Sequence, residues 1–172
     1  MSEEDRGASI ATVGFAITKR LQGTETRWWG RGFDVPPWVD SLLSNVSVAI
    51  ADVGDIEYVV NGLDVYTAPL SGFVAVFTNT GLLVHAGVSQ GDGRHPEVGV
   101  QVVSRSSLDR VDIDGGMDLI DTAPEAARVT VRLHYAGTPS IVTIPGRPGV
   151  TSSEHRALAN FIPSLMADVA RT

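Results

Sequence analysis

Two hydrophobic periods divide this chain. Near its start Ile10, Val13, Ile17 and Leu21 recur at three- and four-residue spacing, which predicts one apolar stripe on a helix over 8–21. Gly14 disfavours a helix interior by about 1 kcal/mol, which leaves an opening strand as the alternative. The stretch from Gln22 to Asp34 is irregular and holds Gly23, Gly30 and Gly32. Pro36 and Pro37 then suit a first helical turn, where a missing N–H has no partner to lose. Val39, Leu42, Leu43 and Val46 come next as an i, i+3, i+4, i+7 stripe, and this second helix is expected to end near Asn45.

After that the period is two. Candidate strands are Val46 to Ile50, Ile56 to Val60, Phe73 to Thr78, Leu82 to Ser89, Glu97 to Ser104 and Leu108 to Ile113. The clearest is Arg128 to Tyr135, where Val129, Val131, Leu133 and Tyr135 face one way while Arg128, Thr130, Arg132 and His134 face water. A short strand from Ser140 to Ile144 returns through the Ala136-Gly137-Thr138-Pro139 turn, and Asn79-Thr80-Gly81 closes an earlier hairpin. Thr151-Ser152-Ser153-Glu154 opens the last element as a capping box. Leu158, Phe161, Ile162, Leu165, Met166 and Val169 then line one helical face, with Pro163 expected to kink it.

These elements predict an α+β protein: a bent antiparallel sheet or split barrel closed by a C-terminal amphipathic helix, preceded by one or two N-terminal helices. A helix-grip or cone-shaped fold, with the sheet curved around that helix, is the alternative. The length of 172 residues fits one domain, with residues 1–60 as a helical and Trp-rich extension and 61–172 as the core.

Composition narrows the chemistry. The chain has no cysteine, which removes disulfides, thiolate metal sites and thiol nucleophiles together. Its net charge of −7 runs against the basic excess that phosphate neutralisation demands, so nucleic acid is not an expected partner. The same acidity disfavours broad attachment to anionic lipid. An acidic opening (Glu3, Glu4, Asp5) and a short apolar run are unlike a secretory signal, and no window reaches the roughly 20 apolar residues of a membrane span. A cytoplasmic location is expected, and a single lysine, Lys19, beside many arginines points to a bacterial source.

The segment from Phe73 to His85, followed by Val102 to Asp112 with its Ser106-Ser107-Leu108 strand opening, two further strands and a closing helix, resembles the bacterial pleckstrin-homology-like domains and their GRAM-type relatives. The resemblance spans roughly 100 residues and rests mostly on hydrophobic periodicity. It implies a binding or oligomerising module without catalysis. Members that bind phosphoinositides bracket phosphates with Lys and Arg in their first hairpin loop. Asn79-Thr80-Gly81 is neutral, so inositol-lipid binding is not expected.

Several constellations invite sharper readings. Gly87-Val88-Ser89-Gln90-Gly91 matches the nucleophile elbow of the α/β-hydrolases, with Asp92 and His95 close in sequence. The Asp92-Gly93-Arg94-His95-Pro96 stretch after Gly91 cannot open a helix, however, so Ser89 reads as a loop serine. Asp112, Asp114, Asp118 and Asp121 around Gly115-Gly116 lack the ligand spacing and closing glutamate of a calcium loop and read as a solvated turn. His85, His95, His134 and His155 show no i, i+4 pair for a metal. His134 and His155 read as surface residues. No catalytic residue, metal site or cofactor is expected. The best pointer to function is a cluster of all three tryptophans, Trp28, Trp29 and Trp38, with Phe33, Arg27 and Arg31. Trp and Arg dominate binding hot spots, although tryptophan also fills cores. The chain is therefore expected to be a non-catalytic binding or scaffolding module that binds a protein partner or itself. A small hydrophobic ligand or lipid is the alternative, and a serine hydrolase the third.

Overall fold

The computed structural model describes residues 12–19, 37–50, 55–63, 71–89, 96–115, 129–137, 141–145 and 152–171. Helices are α1 (12–19), α2 (Pro37–Ile50) and α3 (Ser152–Val169). Strands are β1 (Ile56–Asn61), β2 (Ser71–Thr78), β3 (Leu82–Ser89), β4 (Glu97–Ser104), β5 (Leu108–Asp114), β6 (Thr130–Tyr135) and β7 (Ile141–Ile144). The protein is α+β, with antiparallel sheets ordered β1-β2-β3-β4 and β5-β6-β7. No closed barrel is found among the described residues. The chain divides into two compact units, Met1–Val103 and Ser104–Thr172.

In the first unit the β2–β3 hairpin sets the frame, with Phe73 opposite Gly87, Ala75 opposite His85 and Phe77 opposite Leu83. Its three-residue turn works because Gly81 takes a φ of 87°, open to a residue without Cβ. The Thr78 hydroxyl accepts the Leu82 N–H at 3.1 Å. Asn79 ties the turn to the start of β1: its N–H donates to the Asp55 carbonyl at 3.0 Å and its Oδ1 accepts the Asp55 N–H at 3.1 Å. One hairpin face, Val74, Val76, Val84, Ala86 and Val88, packs with Ile17 of α1 and Val39, Leu42, Val46 and Ile50 of α2. Ala75, Phe77 and Leu83 on the opposite face are buried as well. Burial on both faces departs from the period-two reading of these strands and fits their near-continuous apolar sequence.

The segment Val46 to Ile50, expected as a strand, is helical. Val46 and Ile50 continue the Val39 and Leu42 stripe and are wholly buried, and the Ser47 hydroxyl donates back to the Leu43 carbonyl at 2.6 Å. Packing of the stripe outweighs the weak strand preference of Val46, Val48 and Ile50. Helix α1 agrees with the predicted helix wherever it is described. A Cβ on Gly14 would stand 3.1 Å from the Ser47 Oγ, so the glycine that weakens α1 also lets it approach α2 closely.

In the second unit β6 alternates as its sequence implies, Val131, Leu133 and Tyr135 buried and Arg132 exposed. Gly137, with a φ of 77°, turns it toward β7. The α3 helix packs on β5 and on a 3-10 turn at Arg105–Ser107. Leu158, Phe161 and Leu165 are buried, but Met166, expected on the same stripe, is 48% exposed. Asp168 occupies the i+10 position of the stripe that starts at Leu158 and is buried in its place.

Candidate functional site

The strongest polar feature of the second unit was not expected from sequence. Ser104 to Ser107 form the turn between β4 and β5, held by local bonds: the Ser107 hydroxyl donates to the Ser104 carbonyl at 2.7 Å, and the Ser104 and Ser106 hydroxyls meet at 2.8 Å. Short hydroxyl side chains favour such local pairing over a continued ladder. The Ala136 N–H donates to the Ser107 carbonyl at 2.8 Å and fastens the turn to the end of β6.

This scaffold aims the Arg105 side chain inward. Its Nε donates to Asp168 Oδ2 at 2.7 Å, its Nη2 donates to the Ser164 hydroxyl at 2.7 Å, and its guanidinium carbon lies 5.5 Å from the centre of the Phe161 ring. Both ends of the ion pair are 3% exposed. Arg171 Nη1 approaches the other Asp168 oxygen at 3.6 Å from the surface. Burial pushes the Tyr135 hydroxyl well above its ordinary range, the Arg105 charge opposing the rise and Asp168 adding to it. Chemically the arrangement is a clamp: it fixes the rotation of α3 on the turn, because the guanidinium reaches Ser164 and Asp168 on one helical face.

The outer face of β5 and β6 carries a second polar group. His134 Nε2 meets Asp112 Oδ2 at 2.8 Å and Arg110 Nη2 at 3.2 Å, while Arg110 Nε pairs with Asp112 Oδ1 at 3.2 Å. Arg132 pairs with Asp114. Two of the four aspartates considered for calcium are thus engaged with cations. Asp118 and Asp121 lie outside the described residues. Among the described residues no group of three or more His, Asp or Glu side chains could hold a metal ion.

Ser89 is exposed at the end of β3, opposite Ser71, while Gln90, Gly91, Asp92 and His95 lie outside the described residues. His85 stacks on Phe73 with ring centres 5.3 Å apart, and burial lowers its pKa from 6.5. His155, expected at the surface, is half-buried in the first turn of α3, and its Nδ1 has no hydrogen-bond partner among the described residues. Of the aromatic and arginine cluster, Trp38 is half-buried against the core of the first unit. Arg27, Trp28, Trp29, Arg31 and Phe33 lie outside the described residues.

Comparison with known protein-family models, with curated proteins and with solved structures returns no match.

Proposed function

We propose that this chain is a non-catalytic binding or scaffolding domain of pleckstrin-homology-like type, which works by self-association or by holding a protein partner. The observation that carries this reading is the order of parts: four antiparallel strands, then three, then one C-terminal helix. The split barrel and the closing role of α3 belong to the same proposal. The described strands also sharpen the lipid question. Because β1 precedes β2, the first hairpin loop is 62–70 rather than the Asn79 turn, and its sequence likewise contains no Lys or Arg. Phosphoinositide headgroups are therefore disfavoured as ligands.

The test uses Trp28→Ala and Trp29→Ala chains examined by light scattering behind size exclusion, with far-ultraviolet circular dichroism as the control for folding. A changed oligomeric size on an intact fold supports the reading; unfolding of both variants would place these rings in the core. A lipid that copurifies in native mass spectrometry would replace it with a ligand-binding cone or helix-grip fold. Ester hydrolysis abolished by Ser89→Ala would replace it with a hydrolase.

A further inference from the structure

Among the described residues the sheets end in four edge strands, β1 and β4 in one and β5 and β7 in the other. Natural sheets protect such edges with bulges, charges, proline or short length, because an open edge templates pairing with another chain. Three of these edges obey that rule. β1 carries a register shift between Ile56 and Tyr58 and an exposed Glu57. β5 carries a shift between Leu108 and Arg110 and four charged residues, Asp109, Arg110, Asp112 and Asp114. β7 has four residues and stops at Pro145.

β4 lacks the proline, the short length and the run of charges found at other edges. It is eight residues long, Glu-Val-Gly-Val-Gln-Val-Val-Ser, with no proline or lysine and one charge at its first position. None of its residues is fully buried, and Val102 is 52% exposed. Val98 and Val100 pack partly on the core of the first unit, Val102 follows them at period-two spacing, and Val103 is partly covered.

We propose that the open edge of β4 is a self-association site, where the β4 strands of two copies pair antiparallel about Val100; this rests on the scaffolding reading above. In that register Val100 faces its own copy, and Val98 of each chain faces Val102 of the other. The exposed valine gains a valine neighbour on both sides of a two-fold axis, the self-complementarity an isologous contact needs. Glu97 faces Val103 of the second copy. The two Glu97 side chains then stand about 20 Å apart at strand spacing, beyond a screening length of about 8 Å. The chain's acidity thus places no like charges across the seam. Pairing over this overlap closes about six to eight main-chain hydrogen bonds. The valine palindrome favours a second copy over an unrelated peptide.

The chain has no cysteine, so one introduced thiol reports the register directly. Under mild oxidation the Val100→Cys chain is expected to cross-link into a dimer, since directly opposite Cβ atoms lie about 4.5–5.5 Å apart. The Glu97→Cys chain is expected not to cross-link. Val102→Lys, at an exposed position, is expected to weaken association about tenfold or more with an unchanged circular dichroism spectrum. If the wild type associates but Val100→Cys does not cross-link and Val102→Lys has no effect, the β4 seam is wrong while the scaffolding reading stands. A wild type that stays monomeric throughout a concentration series overturns the β4 seam and removes self-association from the proposed function.

Discussion

Replacing Arg105 with alanine gives the most informative stability prediction. The substitution leaves the Asp168 carboxylate 3% exposed in the native fold and facing Arg171, 3.6 Å away and itself mostly solvent-exposed. Solvent screening does not dilute the effect as it would at a surface pair. Removing one partner of such a buried pair typically costs about 3–5 kcal/mol, a large part of the roughly 5–15 kcal/mol that holds a domain together. Lost bonding to Ser164 and lost contact with Phe161 act in the same direction. Asp168→Ala is expected to destabilise comparably, because it strands the guanidinium. The double substitution Arg105→Met with Asp168→Leu, apolar and of similar volume, is expected to lie near wild type or above it, since the desolvation penalty of both ions disappears. Urea unfolding monitored by circular dichroism measures these chains and the Arg105→Ala with Asp168→Ala double chain, and the cycle closed by the two single alanine substitutions and their combination should return a coupling of about 3 kcal/mol or more. Single substitutions that each lower stability by less than about 1 kcal/mol would show a solvated pair and refute the clamp.

The same geometry yields three more expectations. Gly62→Ala brings a Cβ to 2.5 Å from the Phe73 ring and is expected to lose about 1–3 kcal/mol in chemical unfolding, with partial recovery on adding Phe73→Leu. Because burial lowers the His85 pKa below 6.5, the unfolded chain binds its proton first as pH falls; wild-type stability should therefore decline below about pH 6.5 more steeply than that of His85→Gln, and parallel curves would contradict this. The raised pKa of Tyr135 means that the unfolded chain ionises first near pH 10 while the folded chain keeps its proton, so this contribution is intact below pH 10 and lost as pH climbs. Alkaline ultraviolet titration of wild type against Tyr135→Phe should show one late-titrating tyrosine fewer in the variant.

Local regularity made much of this molecule legible. Hairpin β2–β3 was bounded by its turn residues, and the buried set of β6 by strict alternation. Longer-range choices were harder to read. Val46 to Ile50 satisfies both a strand preference and a helical stripe, and only packing against β2 and β3 decides between them. Asp168 carried a usable signal, a carboxylate at a stripe position of an apolar helix face. Its partner Arg105 sits 63 residues away in a serine-rich turn, and no local period links the two. Met166, expected beside Leu165 on the stripe, is 48% exposed while Leu165 is buried. Trp38 shows that one member of the aromatic cluster serves the core, as tryptophan often does.

Sedimentation equilibrium of the full chain, wild type beside Val102→Lys over a shared concentration series, tests the self-association proposal most directly. The expected result is a wild-type mass that rises from monomer to dimer with concentration, and a variant that stays near the monomer over the same range. A wild type that keeps the monomer mass at every concentration would contradict it.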